Sequence, residues 1–140
     1  MFAARRIREL LAQVDTLTGI TSLAGGADQV FAQAVVDVGG SLHVVVPCRD
    51  YPSTFTDAAA RSAYRRFLDA AARVDKLAFS EPSEQAFFAA GKVMAEASDW
   101  VLAVWDGQPA RGLGGSADVV AYARSLGRRV DIVWPEGVAR

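Results

Sequence analysis

The residues best suited to chemistry in this chain lie in a Gly-rich stretch, Trp105–Val120, which reads Trp-Asp-Gly-Gln-Pro-Ala-Arg-Gly-Leu-Gly-Gly-Ser-Ala-Asp-Val-Val. An apolar run, Trp100–Trp105, stops at Asp106, and an apolar run with helical spacing begins at Ala117. A strand, a glycine loop and a helix in this order predict an anion site. Glycine lets the backbone approach a ligand closely, and the first helical turn offers unpaired N–H groups at the positive end of the dipole. A plain strand-to-helix turn padded with glycine is the alternative, because short glycine motifs also occur without a ligand.

Two side chains in this stretch add to what the backbone offers. Arg111 is able to bind a phosphate through two parallel hydrogen bonds. Ser116 is predicted to be the N-cap of the following helix, where its hydroxyl serves either the helix or a ligand. The predicted phosphate-binding residues of the stretch are Asp106, Arg111, Gly112, Gly114, Gly115 and Ser116.

A second glycine turn, Ala24–Asp28, follows a strand candidate in the same way and also precedes a helix. As part of a ligand pocket it contributes Gly25, Gly26 and Asp28. As a purely structural feature it is a tight connection between a strand and a helix, and this turn by itself favours that interpretation.

A polar and aromatic loop, Cys48–Thr56, has no periodic pattern and follows another strand candidate. Loops at strand ends commonly carry binding groups, so Arg49, Asp50 and Tyr51 are candidates for ligand contact. The alternative is a surface loop in which Tyr51 and Phe55 pack against the body of the protein.

Composition limits the function classes that fit this chain. Its 140 residues are 51% hydrophobic and 22% charged, which predicts one globular domain spanning residues 1–140. The net charge of −1 gives no basic field for a nucleic acid or a membrane surface. The single cysteine, Cys48, excludes an internal disulfide and a multi-cysteine metal site, and it favours a reducing cytoplasm. No metal or cofactor is predicted, and the lone His43 is interpreted as a core or edge histidine.

Hydrophobic periodicity predicts strands that alternate with helices. The predicted helices are Phe2–Val14, Asp28–Val38, Asp57–Ala72, Ser83–Ala97 and Ser116–Leu126. The predicted strands are Leu17–Leu23, Leu42–Val46 with Pro47 as its end, Val74–Phe79, Trp100–Trp105 and Val130–Trp134. Alternation of this kind favours parallel pairing, so the predicted fold is α/β, a three-layer open parallel sheet with helices on both faces.

In an open parallel sheet, ligands bind beyond the carboxyl ends of the strands. Four predicted loops meet at that edge, two of them rich in glycine and two of them carrying an arginine, Arg49 or Arg111. This convergence favours a phosphate-bearing ligand such as a nucleotide or a sugar phosphate. Tyr51, Phe55 or Trp105 is placed to stack on a base.

Three motifs in this order resemble the SLOG superfamily of Rossmann-like domains. They are Ser22-Leu-Ala-Gly-Gly-Ala-Asp-Gln29, Val45-Val-Pro47 with Asp50-Tyr51, and Val104-Trp-Asp-Gly107 followed by Gly112-Leu-Gly-Gly-Ser-Ala-Asp-Val-Val120. That superfamily includes the DNA-processing protein A domain and the "lonely guy" phosphoribohydrolases, and the resemblance covers Thr18 to Trp134. It implies binding of a nucleotide or a nucleotide derivative at the second glycine motif.

The chain departs from the SLOG pattern in two places. Members usually begin with a strand and a short glycine loop, whereas this sequence begins within the predicted helix at Phe2. The hydrolases also carry Pro-Gly-Gly-x-Gly-Thr-x-x-Glu, and aligning Gly-Thr on Gly115-Ser116 puts Val119 in the position of the glutamate. Asp118 is one residue early, about 100° away around a helix.

Three functions remain open on the sequence alone. A non-catalytic nucleotide-binding module, such as a sensor, ranks first because the glycine motif is present and the glutamate is absent. A phosphoribohydrolase that uses Asp118 or Asp28 as its carboxylate ranks second, and an oligomerising remnant ranks third. We also expect a homodimer, because a sheet without its central strand would expose backbone groups and the apolar faces of helices.

Overall fold

The computed structural model describes residues 2–103 and 116–133. Within them, five α-helices alternate with five strands. The helices are α1 (Phe2–Leu11), α2 (Ala27–Asp37), α3 (Ala58–Ala70), α4 (Glu84–Ala97) and α5 (Ser116–Ser125). The strands are β1 (Thr18–Thr21), β2 (Ser41–Cys48), β3 (Arg73–Phe79), β4 (Trp100–Ala103) and β5 (Arg129–Ile132). A short 3-10 helix, Tyr51–Thr54, follows β2. The predicted α/β class is confirmed.

The strands pair in parallel, as predicted, but they form two sheets. One sheet has the order β1-β2-β3, and the other consists of β4 and β5. Ile20 of β1 pairs with His43 of β2, and Val44 of β2 pairs with Val74 of β3. In the second sheet, Val101 lies opposite Val130. Parallel strands need a crossover, and one helix separates each pair of consecutive strands.

β2 is the centre of the hydrophobic core because both of its faces are covered. Every residue from Leu42 to Cys48 is buried, the pattern of a strand that has helices on both sides. α2 and α3 pack against β2, and so does α4. The prediction that Pro47 ends this strand is wrong. The register shifts between Val46 and Cys48, and such a bulge accommodates a residue that has no backbone N–H to donate.

Helix ends follow the capping residues in the sequence. The Asp57 carboxylate accepts a hydrogen bond from Ala59 N at 3.0 Å, and the Ser83 hydroxyl accepts one from Ala86 N at 3.0 Å. Gly39 and Gly127 follow α2 and α5 with φ values of 79° and 73°, the left-handed conformation that glycine adopts most easily.

α1 connects the two sheets through its apolar face. Ile7 and Leu11 belong to the core cluster of the three-stranded sheet, whereas Leu10 packs with Val133, Trp100 and Leu102 near the second sheet. All three α1 side chains are buried. Helical periodicity predicts that Val38 and Phe87 face inward, and this is wrong, because they are 42% and 38% exposed.

Candidate functional site

A cavity of about 930 Å³ lies between the two sheets. Its walls include the last residue of β1, Thr21, and the last residue of β4, Ala103. Asp28 in the first turn of α2 and Val119 in the first turns of α5 also line it. One cavity therefore reaches two strand ends and two helix starts, the position at which open α/β sheets bind ligands.

The loop after β1 adopts a strained conformation at the edge of this cavity. Leu23 is fully buried with φ at 60°, a left-handed conformation that costs a non-glycine residue roughly 1–2 kcal/mol. Leu23 N donates to the Thr21 hydroxyl at 3.1 Å, and Gln29 Nε2 donates to Leu23 O at 3.2 Å. Gln29 Nε2 also donates to Ala60 O at 2.8 Å, which ties the loop to α3. Strained residues held by several partners are common at functional sites.

Asp28 holds the same loop closed from the start of α2. Its Oδ2 accepts a hydrogen bond from Ala24 N at 3.1 Å, and the Thr21 hydroxyl is a second partner. Burial raises the pKa of the Asp28 carboxyl, and these two hydrogen bonds offset part of that shift. These two hydrogen bonds favour a role for Asp28 in positioning the loop. Direct contact with a phosphate is less favourable, because a carboxylate here would repel it.

Gly25 and Gly26, the two predicted glycines of this turn, differ in whether their positions require glycine. Gly26 precedes α2 with φ at 85°, and an added Cβ there would meet nothing within 4 Å. An added Cβ at Gly25 would make ordinary contact with Ala60 at 3.8 Å. Gly26 is therefore needed for its backbone conformation.

The loop after β2 lies against the end of β3. Arg49 N donates to Phe79 O at 2.9 Å, and Asp50 N donates to Ser80 O at 3.2 Å. Both side chains are exposed, and neither residue lines the cavity. The structure therefore does not bring Arg49 together with Asp28.

Tyr51 is buried in an aromatic cluster and is 3% exposed. Its ring centroid lies 5.4 Å from that of Phe55 and 5.5 Å from that of Tyr64, both with edge-to-face geometry. Burial, followed by the charge of Asp28, raises the pKa of Tyr51 above its ordinary range. These contacts favour the packing interpretation of Tyr51 over base stacking.

Most of the predicted phosphate site lies outside the described residues. Asp106, Arg111, Gly112, Gly114 and Gly115 fall in the range 104–115, as does Trp105. Ser116 is the first residue of α5 and so lies one position inside the helix from the N-cap that the sequence predicts. Asp118 lies in its first turn, and Val119 packs against Gly91 of α4.

A cluster of titratable side chains that the sequence did not indicate lies where β2 pairs with β3. His43 Nε2 is 2.6 Å from Asp75 Oδ2, and Arg73 Nε is 3.2 Å from the same oxygen. His43 and Arg73 both line the cavity. Only the pairing register of β2 with β3 brings these residues together, and no sequence motif encodes it.

Two other kinds of feature, a metal cluster and a membrane-spanning helix, are absent from the part of the chain that the structure covers. Residues 2–103 and 116–133 contain no cluster of three or more histidine, cysteine, aspartate or glutamate side chains suited to a metal ion. None of the helices formed by these residues is long and apolar enough to cross a membrane. In comparisons with known proteins, no family model and no curated protein matches the chain.

Proposed function

We propose that this protein binds a nucleotide or a nucleotide derivative, as a member of the SLOG superfamily that acts without catalysis. The phosphate is bound by backbone N–H groups of Gly114, Gly115 and Ser116 and by the Arg111 guanidinium. The observation that carries the proposal is the cavity between the sheets. It reaches the carboxyl ends of β1 and β4 together with the first turns of α2 and α5.

The start of α5 is the end of the cavity at which a phosphate would be most stable. α5 begins at Ser116, directly after the Gly-rich stretch of the sequence, and its first N–H groups have no partners within the helix. The helix dipole adds a partial positive charge there. The end of β1 and the start of α2, with Thr21, Ala27 and Asp28, form the facing wall, on which the rest of the ligand is bound.

Calorimetry tests this proposal with adenosine and cytidine monophosphates, the matching nucleosides and inorganic phosphate. We expect the monophosphates to bind more tightly than the nucleosides. Arg111→Ala should weaken monophosphate binding by about 1.5–3 kcal/mol, the range for hydrogen bonds to charged groups. Arg124→Ala, an exposed arginine in the last turn of α5, is the matched control and should bind like the unaltered protein.

The same samples separate a binding module from a hydrolase. We expect no release of free base, because Val119 stands where the hydrolases have their glutamate. Turnover on the order of 1 s⁻¹ that Asp118→Asn abolishes would instead identify a phosphoribohydrolase. Absence of binding by every nucleotide in the panel would refute the proposal itself.

Two further features belong to this proposal. The protein forms a homodimer through the apolar surface of α4, on which Phe87 is 38% exposed.

The location of the protein is the cytoplasm, because its single cysteine, Cys48, is buried and unpaired. Burial raises the pKa of the Cys48 thiol, which keeps it protonated and unreactive.

A further inference from the structure

Asp28 is a charged side chain of the cavity wall that the proposed phosphate contacts do not use. It lies in the first turn of α2 and lines the cavity together with Thr21, the last residue of β1. Its Oδ2 accepts a hydrogen bond from Ala24 N at 3.1 Å, and the Thr21 hydroxyl is its second partner. An ionised carboxylate has about four acceptor positions. The two donors that the described residues supply therefore leave acceptor capacity for a group in the cavity.

The loop around Asp28 fixes the position of this carboxylate. The Thr21 hydroxyl accepts a hydrogen bond from Leu23 N at 3.1 Å, so its own hydrogen is directed to Asp28. Gln29 Nε2 donates to Leu23 O at 3.2 Å and to Ala60 O at 2.8 Å. A carboxylate held in this way loses little conformational freedom when a ligand binds, and such preorganisation favours affinity and specificity.

The cavity side chains that can carry positive charge are engaged elsewhere. His43 Nε2 lies 2.6 Å from Asp75 Oδ2, and Arg73 Nε lies 3.2 Å from the same oxygen. Burial and two hydrogen bonds, without a charge from either group, cause the pKa shift of Asp28. Burial, followed by the charge of Asp28, raises the pKa of Tyr51. The potential around Asp28 is therefore negative.

A fixed carboxylate in a negative potential distinguishes two kinds of ligand group. It accepts a hydrogen bond from a hydroxyl, and such bonds to an ionised group are stronger than bonds between neutral groups. It repels a phosphate in the same position, because like charges brought together in a binding site are strongly unfavourable. Val119 of α5 and Asp28 line one cavity, so a ligand with its phosphate at the start of α5 has its sugar on the side of Asp28.

We propose that Asp28 sets the specificity of the nucleotide site by accepting a hydrogen bond from one ribose hydroxyl. The same carboxylate excludes nucleotides that carry a second phosphate on that hydroxyl. The ligand class is then a nucleotide whose ribose hydroxyls are free. This assignment rests on the proposed function, because it takes the 5′-phosphate to be bound at the start of α5. An Asp28 that only positioned the loop would leave the affinities for all of these nucleotides equal.

Calorimetry with the unaltered protein compares five nucleotides at about pH 8, which favours the ionised form of a carboxyl with a raised pKa. They are adenosine monophosphate, its 2′-deoxy and 3′-deoxy analogues, and the 2′,5′- and 3′,5′-bisphosphates of adenosine. We expect one deoxy analogue to bind about tenfold more weakly than adenosine monophosphate, the effect of one hydrogen bond to a charged group. The bisphosphate modified at that same position should bind at least as weakly.

Asp28→Asn separates the charge of this residue from its place in the loop. Asparagine keeps a side-chain carbonyl that accepts from Ala24 N, but it has no charge to repel a phosphate. We expect the preference for adenosine monophosphate over the bisphosphate to fall below about threefold. Asp37→Asn is the matched control, since it removes the same charge from the last residue of α2, where the carboxylate accepts from Gln33 Nε2 at 2.9 Å. It should leave the ranking of the nucleotides unchanged.

The amide resonance of Ala24 gives a second measurement, which needs no variant. Because Ala24 N donates to Asp28, its chemical shift should change when adenosine monophosphate binds and should change less with the weaker deoxy analogue. Binding of adenosine monophosphate with equal affinities for all five nucleotides, or with no change at Ala24, would overturn the role of Asp28 and leave the proposed function standing. Weakening by deoxygenation at one position and by phosphorylation only at the other would overturn it too. If adenosine monophosphate does not bind at all, the proposed function is refuted, and the role of Asp28 with it.

Discussion

At the scale of residues, the contact between His43 and Asp75 links the structure to a measurable property, the dependence of stability on pH. His43 is 8% exposed on the central strand β2, and its Nε2 lies 2.6 Å from the Asp75 carboxylate on β3. The hydrogen bond from His43 lowers the pKa of Asp75, and the charge of Arg73 adds to this effect. Because the folded state favours the ionised carboxylate, Asp75 stabilises the fold when it is ionised.

The depressed pKa of Asp75 predicts how stability responds to acid. Its contribution is fully present above the unfolded pKa of about 3.9, and it is lost as the pH falls through the lower folded pKa. In urea unfolding, we expect the midpoint of the unaltered protein to fall more steeply below about pH 5 than that of Asp75→Asn. Asp69→Asn, at an exposed position on α3, is the control and should follow the unaltered protein. Parallel curves for all three proteins would contradict this assignment.

The sequence predicts the environments of single residues better than it predicts their partners. His43 lies in an apolar run, and its burial follows from that run alone. Asp75 is 32 residues further along the chain, so only the strand register defines the pair. Tyr51 is a candidate for ligand contact because of its place after a strand. It is buried because Phe55 of its own loop packs on it together with Tyr64 of α3 and Phe87 of α4.

At the scale of elements, local chemistry determines where most helices begin and end. Asp57 and Ser83 accept hydrogen bonds from helix N–H groups two or three residues later, and Gly39 and Gly127 follow helix ends. These signals need only neighbouring residues, which is why the sequence contains them. The continuation of β2 through Pro47 depends instead on a bulge against β3, a non-local feature.

Close packing of α4 on α5 depends on the absence of a side chain at Gly91. A Cβ built there would lie 2.6 Å from Val119 Cγ2, closer than carbon atoms can approach. Valine in a helix has one strongly preferred rotamer, so Val119 cannot easily turn away. The two helices would therefore have to separate to accommodate a larger residue.

Gly91→Ala should destabilise the protein despite the better helix propensity of alanine. Overpacking costs roughly 1–3 kcal/mol, and the propensity gain offsets up to about 1 kcal/mol of it. We expect a net loss of about 1 kcal/mol in the free energy of unfolding, measured by urea denaturation. Adding Val119→Ala removes the contacting methyl groups, so the double variant should be more stable than the two separate losses predict. Strict additivity of the two substitutions would argue against this contact.

At the scale of the whole molecule, the division into two sheets is the feature that the sequence only partly indicates. The alternation of helices and strands predicts one open parallel sheet, whereas the sheets of the described residues separate between β1 and β4. The size of the resulting cleft could not be predicted. The size depends on the distance at which α1 holds the two sheets apart through Ile7 and Leu10. That distance results from many contacts between residues far apart in the sequence.

The proposed homodimer depends on which apolar surface remains exposed after this packing. The sequence predicts that apolar helix faces form the interface, but Ile7, Leu10 and Leu11 on the apolar face of α1 are buried within the chain. α4 keeps an apolar surface around Phe87, which is 38% exposed. Phe88 is half-buried beside it, and Lys92 Nζ lies 5.1 Å from its ring. Twofold association through α4 would bury this surface in both copies at once.

Sedimentation at micromolar concentration should therefore give twice the mass of one 14.9 kDa chain. An interface of standard size, about 1,600 Å² in total, would hold the dimer together at this concentration. Phe87→Glu would bury two charges across the twofold axis, so we expect it to dissociate the dimer while circular dichroism shows that the fold is kept. Phe79→Glu is the matched control, since Phe79 is also 38% exposed but lies on β3 rather than on α4. If the unaltered protein has the mass of one chain at every concentration, α4 is not a dimer interface. Dissociation by both substitutions would instead move the interface to a surface that includes β3.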